Sequence, residues 1–246
     1  MCGRYGQEMS WSEIHAFSQP LIIRAPSEEL VPSWNIAPTT LGWVITAGDR
    51  TALAQNMRWG LVPAWSKDRK RASSMINARS ESAAEKPAFR SAWRERRCLV
   101  PASGYYEWPT SAAGKQPYWI YSELGMMMFA GLWERWRQPD GEWLLTYSIL
   151  TTEALGDISQ LHDRTPVMLD AAVFSDWLHG DAQSASAIVA RQQLPPLHWH
   201  AVNPAVGNVR NNGADLISAV APIGDLLSQP QNRSAKESAK LTKIAE

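Results

Sequence analysis

The chain has 246 residues, enough for one well-cored domain or two small ones, and its 24 Lys and Arg balance 24 Asp and Glu, so affinity for nucleic acid would have to come from a local patch. A composition of 45% hydrophobic and 20% charged residues is that of a folded globular protein, without the run of about 18 apolar residues that a membrane helix needs. Two cysteines do not make a disulfide scaffold, and the opening Met1-Cys2-Gly3-Arg4-Tyr5-Gly6 lacks the basic start and apolar stretch of a secretory signal; a reducing, cytoplasmic setting is expected.

In chain order, Cys2 to Gln7 reads as an extended lead-in to a short helix through Phe17, opened by a capping box in Ser10-Trp11-Ser12-Glu13. Trp43 to Thr46 and Leu53 to Trp59 predict two strands around the Ala47-Gly48-Asp49 turn, most simply a hairpin. Tyr118 to Tyr121, Met126 to Trp133 and Trp143 to Leu150, separated by Leu124-Gly125 and Pro139-Asp140-Gly141, predict an antiparallel meander. Asp170 and Asp181 stand where helix caps would, ahead of helices over Ala171 to His179 and Ala182 to Arg191, and a strand follows at Leu197 to Val202. The expected architecture is α+β around a β core, a single domain over residues 2–227. Residues 228–246, polar and without a sustained apolar face, read as a disordered tail.

Charge is uneven along this order. Between Arg58 and Cys98 stand 11 Lys and Arg against four acids, a local excess of seven positive charges, with Trp59, Trp65 and Trp93 interleaved. Cations for phosphates and aromatic faces for unpaired bases are what a single-stranded nucleic-acid groove needs. The alternative is a solvated basic surface over core tryptophans, but 13 Trp against four Phe and six Tyr make some Trp on a binding surface the expectation.

Cys2 follows the initiator Met, and a small second residue favours removal of Met1. A chain beginning at Cys2 offers an α-amine of pKa about 7.7–8.0 beside a thiol of pKa about 8.5, a pair no internal cysteine has. With an aldehyde the amine gives a carbinolamine and then an imine, and the thiol closes on the imine carbon to form a five-membered thiazolidine. Taken alone, a cysteine at this position is more often inert.

Met1-Cys2-Gly3-Arg4-Tyr5, Trp34-Asn35-Ile36-Ala37-Pro38, Arg58-Trp59-Gly60-Leu61-Val62-Pro63-Ala64-Trp65, Ile76-Asn77-Ala78-Arg79-Ser80-Glu81, Arg97-Cys98-Leu99-Val100-Pro101-Ala102-Ser103-Gly104-Tyr105-Tyr106-Glu107-Trp108, Leu161-His162-Asp163-Arg164-Thr165-Pro166-Val167 and Ala205-Val206-Gly207-Asn208-Val209 stand in this order. Together they closely resemble the SOS response-associated peptidase family, whose members crosslink covalently to abasic sites in single-stranded DNA. The resemblance implies a distorted mixed β-barrel with peripheral short helices and a positively charged DNA channel. It implies Cys2 as the crosslinking nucleophile, Asn77 as the polar group holding the reacting centre, and Glu107 and His162 as acid/base groups. Arg4, Arg79 and Arg164 are the implied phosphate ligands, and Trp65 with the Asn35 to Pro38 segment the implied wall that splits or stacks the strand. One departure stands out: Trp65 is followed by Ser66 and the basic Lys67 to Arg71, where the family often has a second aromatic, which leaves the stacking residues open.

The chemistry asks for such a set independently. An abasic deoxyribose is mainly a closed hemiacetal, so an acid and a base must open it. Glu107, within an aromatic-rich stretch, is expected to be partly buried with a raised pKa, and His162 titrates near neutrality. His198 and His200 share one strand face but lack the further ligands a metal site needs, Cys98 and Met126 to Met128 read as core, and Gly207 to Gly213 as a loop near the site that could bring Arg210 to DNA. No metal and no cofactor are expected. The partner expected is single-stranded DNA containing abasic sites, bound by a monomer, with replication-fork partners left open. Rival readings are a cysteine peptidase acting on its own Met1 and a non-catalytic single-strand binding module.

Overall fold

The computed structural model describes residues 2–26, 28–111, 114–191 and 193–223, so the tail expected at 228–246 lies outside the described residues. In chain order the strands and helices begin with β1 (Tyr5–Gln7), α1 (Trp11–Phe17), β2 (Ile23–Arg24), β3 (Ser33–Ile36), β4 (Leu41–Thr46), β5 (Ala52–Trp59) and β6 (Asn77–Arg79). They continue through α2 (Ser80–Ala83), α3 (Arg90–Glu95), β7 (Arg97–Ala102), β8 (Gly104–Glu107), β9 (Thr110–Ser111), β10 (Gly114–Lys115), β11 (Tyr118–Ser122) and β12 (Met127–Arg137). The last are β13 (Trp143–Glu153), β14 (Arg164–Pro166), α4 (Phe174–His179), α5 (Ala182–Arg191) and β15 (Leu197–Ala201). The fold is α+β, and none of the described helices is long and apolar enough to cross a membrane.

A closed barrel organises the chain. β5, β4, β7, β12 and β13 pair antiparallel in that order, and β13 returns to β5 in parallel through Thr146↔Arg58 and Tyr147↔Trp59, which closes the barrel. Past that closure β6 takes the same side of β13, Ile149↔Asn77 to Thr151↔Arg79, and so carries Asn77 into the sheet. A second, antiparallel sheet runs β15-β11-β8-β1-β3.

Alternation along the barrel strands supplies two cores. Cys98 and Val100 of β7, Phe129 of β12 and Tyr147 and Ile149 of β13 meet the second sheet, with Tyr5, Tyr105 and Ile120. Leu99, Ala130, Leu132 and Leu150 face the other way, toward Ile14, Trp93, Phe174 and Trp177 of the helices. Strands buried on both faces read as continuous apolar runs rather than an alternating pattern. Rings of this size each contribute on the order of 2–3 kcal/mol through burial.

Local expectations hold where they rest on local chemistry. The capping box of α1 forms, with Glu13 N–H on the Ser10 hydroxyl and Ser10 N–H on the Glu13 carboxylate. The hairpin of β4 and β5 forms, and Asp181 caps α5 by accepting Ser184 N–H at 2.7 Å. Two expectations are corrected. β11 does not continue into a meander with β12; it pairs with β8 and β15, a place in the second sheet where both of its apolar faces are buried, Tyr118 and Ile120 against the barrel and Trp119 with Tyr106, Val202 and Val206 on the opposite side. The helix predicted from Ala171 opens instead as a 3-10 turn, with no side-chain bond from Asp170, before α4 begins at Phe174.

Arg97 joins the helices to the barrel. Buried at the start of β7, its Nε donates to the Trp177 carbonyl at 2.6 Å, Nη1 to the Trp93 and Arg94 carbonyls at 2.6 and 3.1 Å, and Nη2 to the Gly180 carbonyl. A guanidinium here satisfies the orphan carbonyls at the ends of α3 and α4 and meets the negative ends of both helices. Arg97→Leu should therefore lower unfolding free energy by about 3 kcal/mol, since those carbonyls stay buried without a donor. Chemical denaturation measures it, and a loss under about 1 kcal/mol would show the carbonyls re-paired.

Candidate active site

Cys2 is fully buried among residues of the barrel and the second sheet. Its backbone carbonyl accepts a 2.7 Å hydrogen bond from Asn77 Nδ2, and its thiol points at the Arg4 carbonyl, Sγ to O 3.9 Å. The pairing of β6 with β13 makes the first contact possible. Asn77 Oδ1 is buried with no hydrogen-bond partner among the described residues, an acceptor at the same place. Burial, and next the charge of nearby Glu107, hold the Cys2 thiol well above its ordinary pKa, so it is a thiol rather than a thiolate.

Glu107 ends β8, two residues from Tyr105 and on the same strand face. It is buried, and burial pushes its carboxyl up to about 7, with the charge of Asp163 acting in the same direction. The aromatic surroundings anticipated from the sequence are present: Tyr105 is buried at its side, with its hydroxyl 3.1 Å from Thr165 Oγ1. A carboxyl balanced near neutrality can give or take a proton at working pH.

His162 stands one-third exposed at the head of the segment leading into β14. Its Nδ1 lies 2.9 Å from the Arg164 amide and 2.6 Å from Asp163 Oδ1. Neutral, Nδ1 can accept the amide proton; charged, it donates to the carboxylate. Burial holds the ring below its ordinary pKa, with Arg164 acting the same way against the pull of Asp163, so the neutral form prevails near pH 7. Each protonation state has a partner, which suits proton exchange.

The residues expected at DNA fall into three kinds. Arg4 and Asn35 are buried and engaged with the protein: Arg4 Nη1 donates to Asn35 Oδ1 at 2.6 Å and to the Val206 carbonyl at 2.8 Å, with its guanidinium 5.9 Å from the Trp108 ring centre. Asn35 Nδ2 donates to the carbonyls of Val206, Asn208 and Asn211, so this pair fastens the loop that carries the exposed Arg210. Pro38 is half-buried, just before Thr39, whose φ of 70° is rare for a β-branched residue. Arg164 is clamped by Glu81, whereas Arg79 is exposed. Trp65, 67% exposed, lines a cleft of about 290 Å³ with Lys67, Lys70 and Arg71 over Leu61, Pro63 and Met75.

Trp59 and Trp93, which the sequence places among the cations beside Trp65, are core residues. Trp59 packs edge-on to Tyr5 at 5.2 Å and donates from Nε1 to the Ile76 carbonyl, next to Asn77. His198 and His200 sit beside Tyr121, with His198 paired to Glu123 and His200 Nε2 at the Ile217 carbonyl. Among the described residues no three His, Cys, Asp or Glu side chains gather as a metal site. The sequence reading passed over the Thr39 strain, the Tyr105–Thr165 pair and the Glu81 clamp; only Thr39, beside Pro38, carried a local signal.

Burial of Glu107 has a consequence for stability. Its folded value of about 7 lies above the ordinary carboxyl value near 4.5, so its contribution is complete below about pH 4.5 and is lost as pH rises through 7. The loss amounts to roughly 3 kcal/mol by pH 8. Glu107→Gln removes it, so the stability gain of the variant over the parent should grow between pH 5 and pH 8. Denaturation curves at the two pH values check this, and a difference that is flat or of opposite slope would contradict a buried carboxylate.

The chain matches the family described as SOS response associated peptidase, SRAP, over residues 1–209. It is 33% identical to the abasic site processing protein YoqW of Bacillus subtilis, across 89% of this chain and 100% of that one. It is 31% identical to YedK of Escherichia coli, across the same shares, and 28% identical to HMCES of Rattus norvegicus, across 87% of this chain and 71% of that one; both carry the same description. A solved structure from Bacteroides thetaiotaomicron shares the fold at a TM-score of 0.75 and 20% identity, covering 89% of this chain and 100% of that one. A phage-related protein from Bordetella bronchiseptica does so at 0.65 and 28%, covering 82% and 94%. With the match spanning the barrel, Cys2, Asn77, Glu107 and His162, the chain belongs to the SOS response associated peptidase family.

Proposed function

We propose that this protein processes abasic sites in single-stranded DNA by forming a covalent bond through Cys2 once Met1 is removed. The observation that carries the reading is the burial of the Cys2 thiol close to a carboxyl poised near pH 7, with the Cys2 carbonyl held by Asn77. The relatives described as abasic site processing proteins point to the same substrate.

The steps balance with the groups present. Glu107, protonated, gives a proton to the ring oxygen of the closed sugar, and His162 takes the hydroxyl proton, which frees the aldehyde. The Cys2 amine adds to the aldehyde carbon and its proton passes to the new alkoxide, His162 then returns its proton to the carbinolamine oxygen, one water leaves, and a protonated imine forms. The thiol then adds to the imine carbon: sulfur bonds to carbon as its proton passes to the now ionised Glu107, the C=N electron pair settles on nitrogen, and the ring closes. Because burial keeps sulfur protonated, addition needs that base, and Glu107 supplies it. Asn77 fixes the Cys2 backbone, with Oδ1 free to accept from the amine.

Around this centre Arg79, Arg164 and Arg210 serve phosphates and Trp65 offers a face to an unpaired base, while Arg4 and Asn35 act from behind by fixing the 206–211 loop. The protein acts as a monomer on damaged DNA in the cytoplasm, and the crosslink shields the strand from cleavage. The family description also favours a second reading, removal of Met1 by the chain's own groups. Intact mass separates the two routes: self-removal leaves Met1 on the Cys2→Ala variant, whereas removal by an aminopeptidase does not.

Denaturing electrophoresis with an abasic single-stranded oligonucleotide tests the main reading. The parent should give a heat-stable adduct, and Cys2→Ala lacking Met1 only a labile imine, trapped by borohydride. Protein shown by mass to retain Met1 keeps the thiol but has its amine one residue away, and should give at best a reversible hemithioacetal and no heat-stable adduct. A heat-stable adduct from Cys2→Ala, formed without reductant at the parental rate, would overturn the ring closure. In a second measurement, binding of undamaged single-stranded DNA should weaken with salt, and Arg79→Ala should reduce the log–log slope by about 0.7, one phosphate contact. An unchanged slope takes Arg79 out of the groove.

A further inference from the structure

Arg164 opens β14 and Glu81 is the second residue of α2, 83 positions apart in sequence. Arg164 Nη1 donates to Glu81 Oε1 at 2.7 Å and Nη2 to Oε2 at 2.8 Å, a bidentate pair, and Nη2 also donates to the Thr151 carbonyl at 2.6 Å. The register of β6 places Arg79 opposite Thr151, so both arginines converge on one point of β13. The backbone of Arg164 does a different job: its amide donates to His162 Nδ1 at 2.9 Å. One residue thus links the Glu81 carboxylate to the imidazole.

We propose that Glu81 is a positioning residue for the reaction: by clamping the Arg164 guanidinium it fixes where a phosphate ligand of the groove stands and, through the Arg164 backbone, how the His162 ring is turned. This rests on the reading that Arg164 contacts DNA and His162 moves a proton. A planar guanidinium gripped at both Nη atoms keeps one orientation, whereas a free arginine samples many, and ordering it on binding would cost affinity and alignment. Glu81 is suited to the role because the Arg164 hydrogen bonds hold its carboxyl below the usual range, so the clamp stays ionised at neutral pH. With Glu81 51% exposed and Arg164 14%, the pair is too near water to matter much for stability, typically under about 1 kcal/mol. A purely structural role would show only as that small loss.

The test uses the full chain and an abasic single-stranded oligonucleotide, with the crosslinking rate read at saturating DNA. Glu81→Gln should slow that rate about tenfold while the melting temperature moves by only a few degrees. Glu81→Gln combined with Arg164→Ala should be no slower than Arg164→Ala alone, because the carboxylate acts through the arginine. Should Glu81→Gln fail to fold, Glu81→Asp keeps the charge but falls one methylene short of the bidentate grip, and the same cycle is expected. A parental rate in the single variant, or a loss that adds in full to that of Arg164→Ala, overturns the proposal. A parental rate in Arg164→Ala overturns the reading beneath it and the clamp together, and so does a parent that forms no adduct.

Discussion

Placing the second residue of the chain in the interior is the constraint from which the site follows. Cys2 is fully buried, and Glu107 is nearly so. Exclusion of water raises the pKa of the thiol and of the carboxyl together, and the charge of Glu107 adds to the effect on sulfur. The thiol is then protonated at every physiological pH, while the carboxyl is balanced between its two forms. Neither property belongs to the residue type; both belong to the place where β1 and β8 bring the two side chains beside the barrel. Closure of that barrel through β13 and β5, and its continuation through β6, set Asn77 against the Cys2 carbonyl. Loosening any of these pairings would admit water and return both groups toward ordinary values.

The charged side chains outside this centre divide by what they already bond. Arg97 is consumed by helix carbonyls, and Arg4 by Asn35 and the Val206 carbonyl. Moving either to a phosphate would leave buried carbonyls without donors, at about 1–3 kcal/mol each. Arg79 and Arg210 are exposed, and Arg164 is intermediate, paired yet close to solvent. The overall neutral charge therefore conceals a graded set: cations fixed inside, one held at the boundary, and others left for a polyanion. In the proposed groove the inner cations shape the wall and the outer ones meet the strand.

Features decided within a few residues were legible in the sequence. Ser10 and Glu13 form their box, Asp181 caps its helix, and the 43–59 hairpin pairs as spaced. Burial of Glu107 was legible too, because an acid among Gly104, Tyr105, Tyr106 and Trp108 has little water to reach. What escaped was set by distant partners. β11 has apolar residues on both faces, and nothing in Tyr118 to Ser122 says whether β8 or β12 will be its hydrogen-bonded neighbour. The basic segment with three tryptophans has a composition shared by a groove and a core edge; the structure puts Trp59 and Trp93 inside and leaves Trp65 out. Arg4 and Arg164 carry the same charge in the sequence, and only the fold shows one turned inward to Asn35 and the other gripped by Glu81.

Burial also orders the proposed chemistry in time. A thiolate waiting in the site would attack any electrophile and would be oxidised readily, since reactivity follows thiolate character and exposure. The Cys2 thiol has neither until a base can take its proton. Glu107 becomes that base only after it has given its own proton away, which in the proposed sequence happens as the sugar opens and frees the aldehyde. Sulfur is thus released for attack by the step that creates its target, and the two halves of the reaction share one carboxyl whose pKa near 7 permits both. An exposed carboxylate, ionised from the start, could serve the second half but not the first. The energetic penalty of burying Glu107 is what allows a single residue to do both.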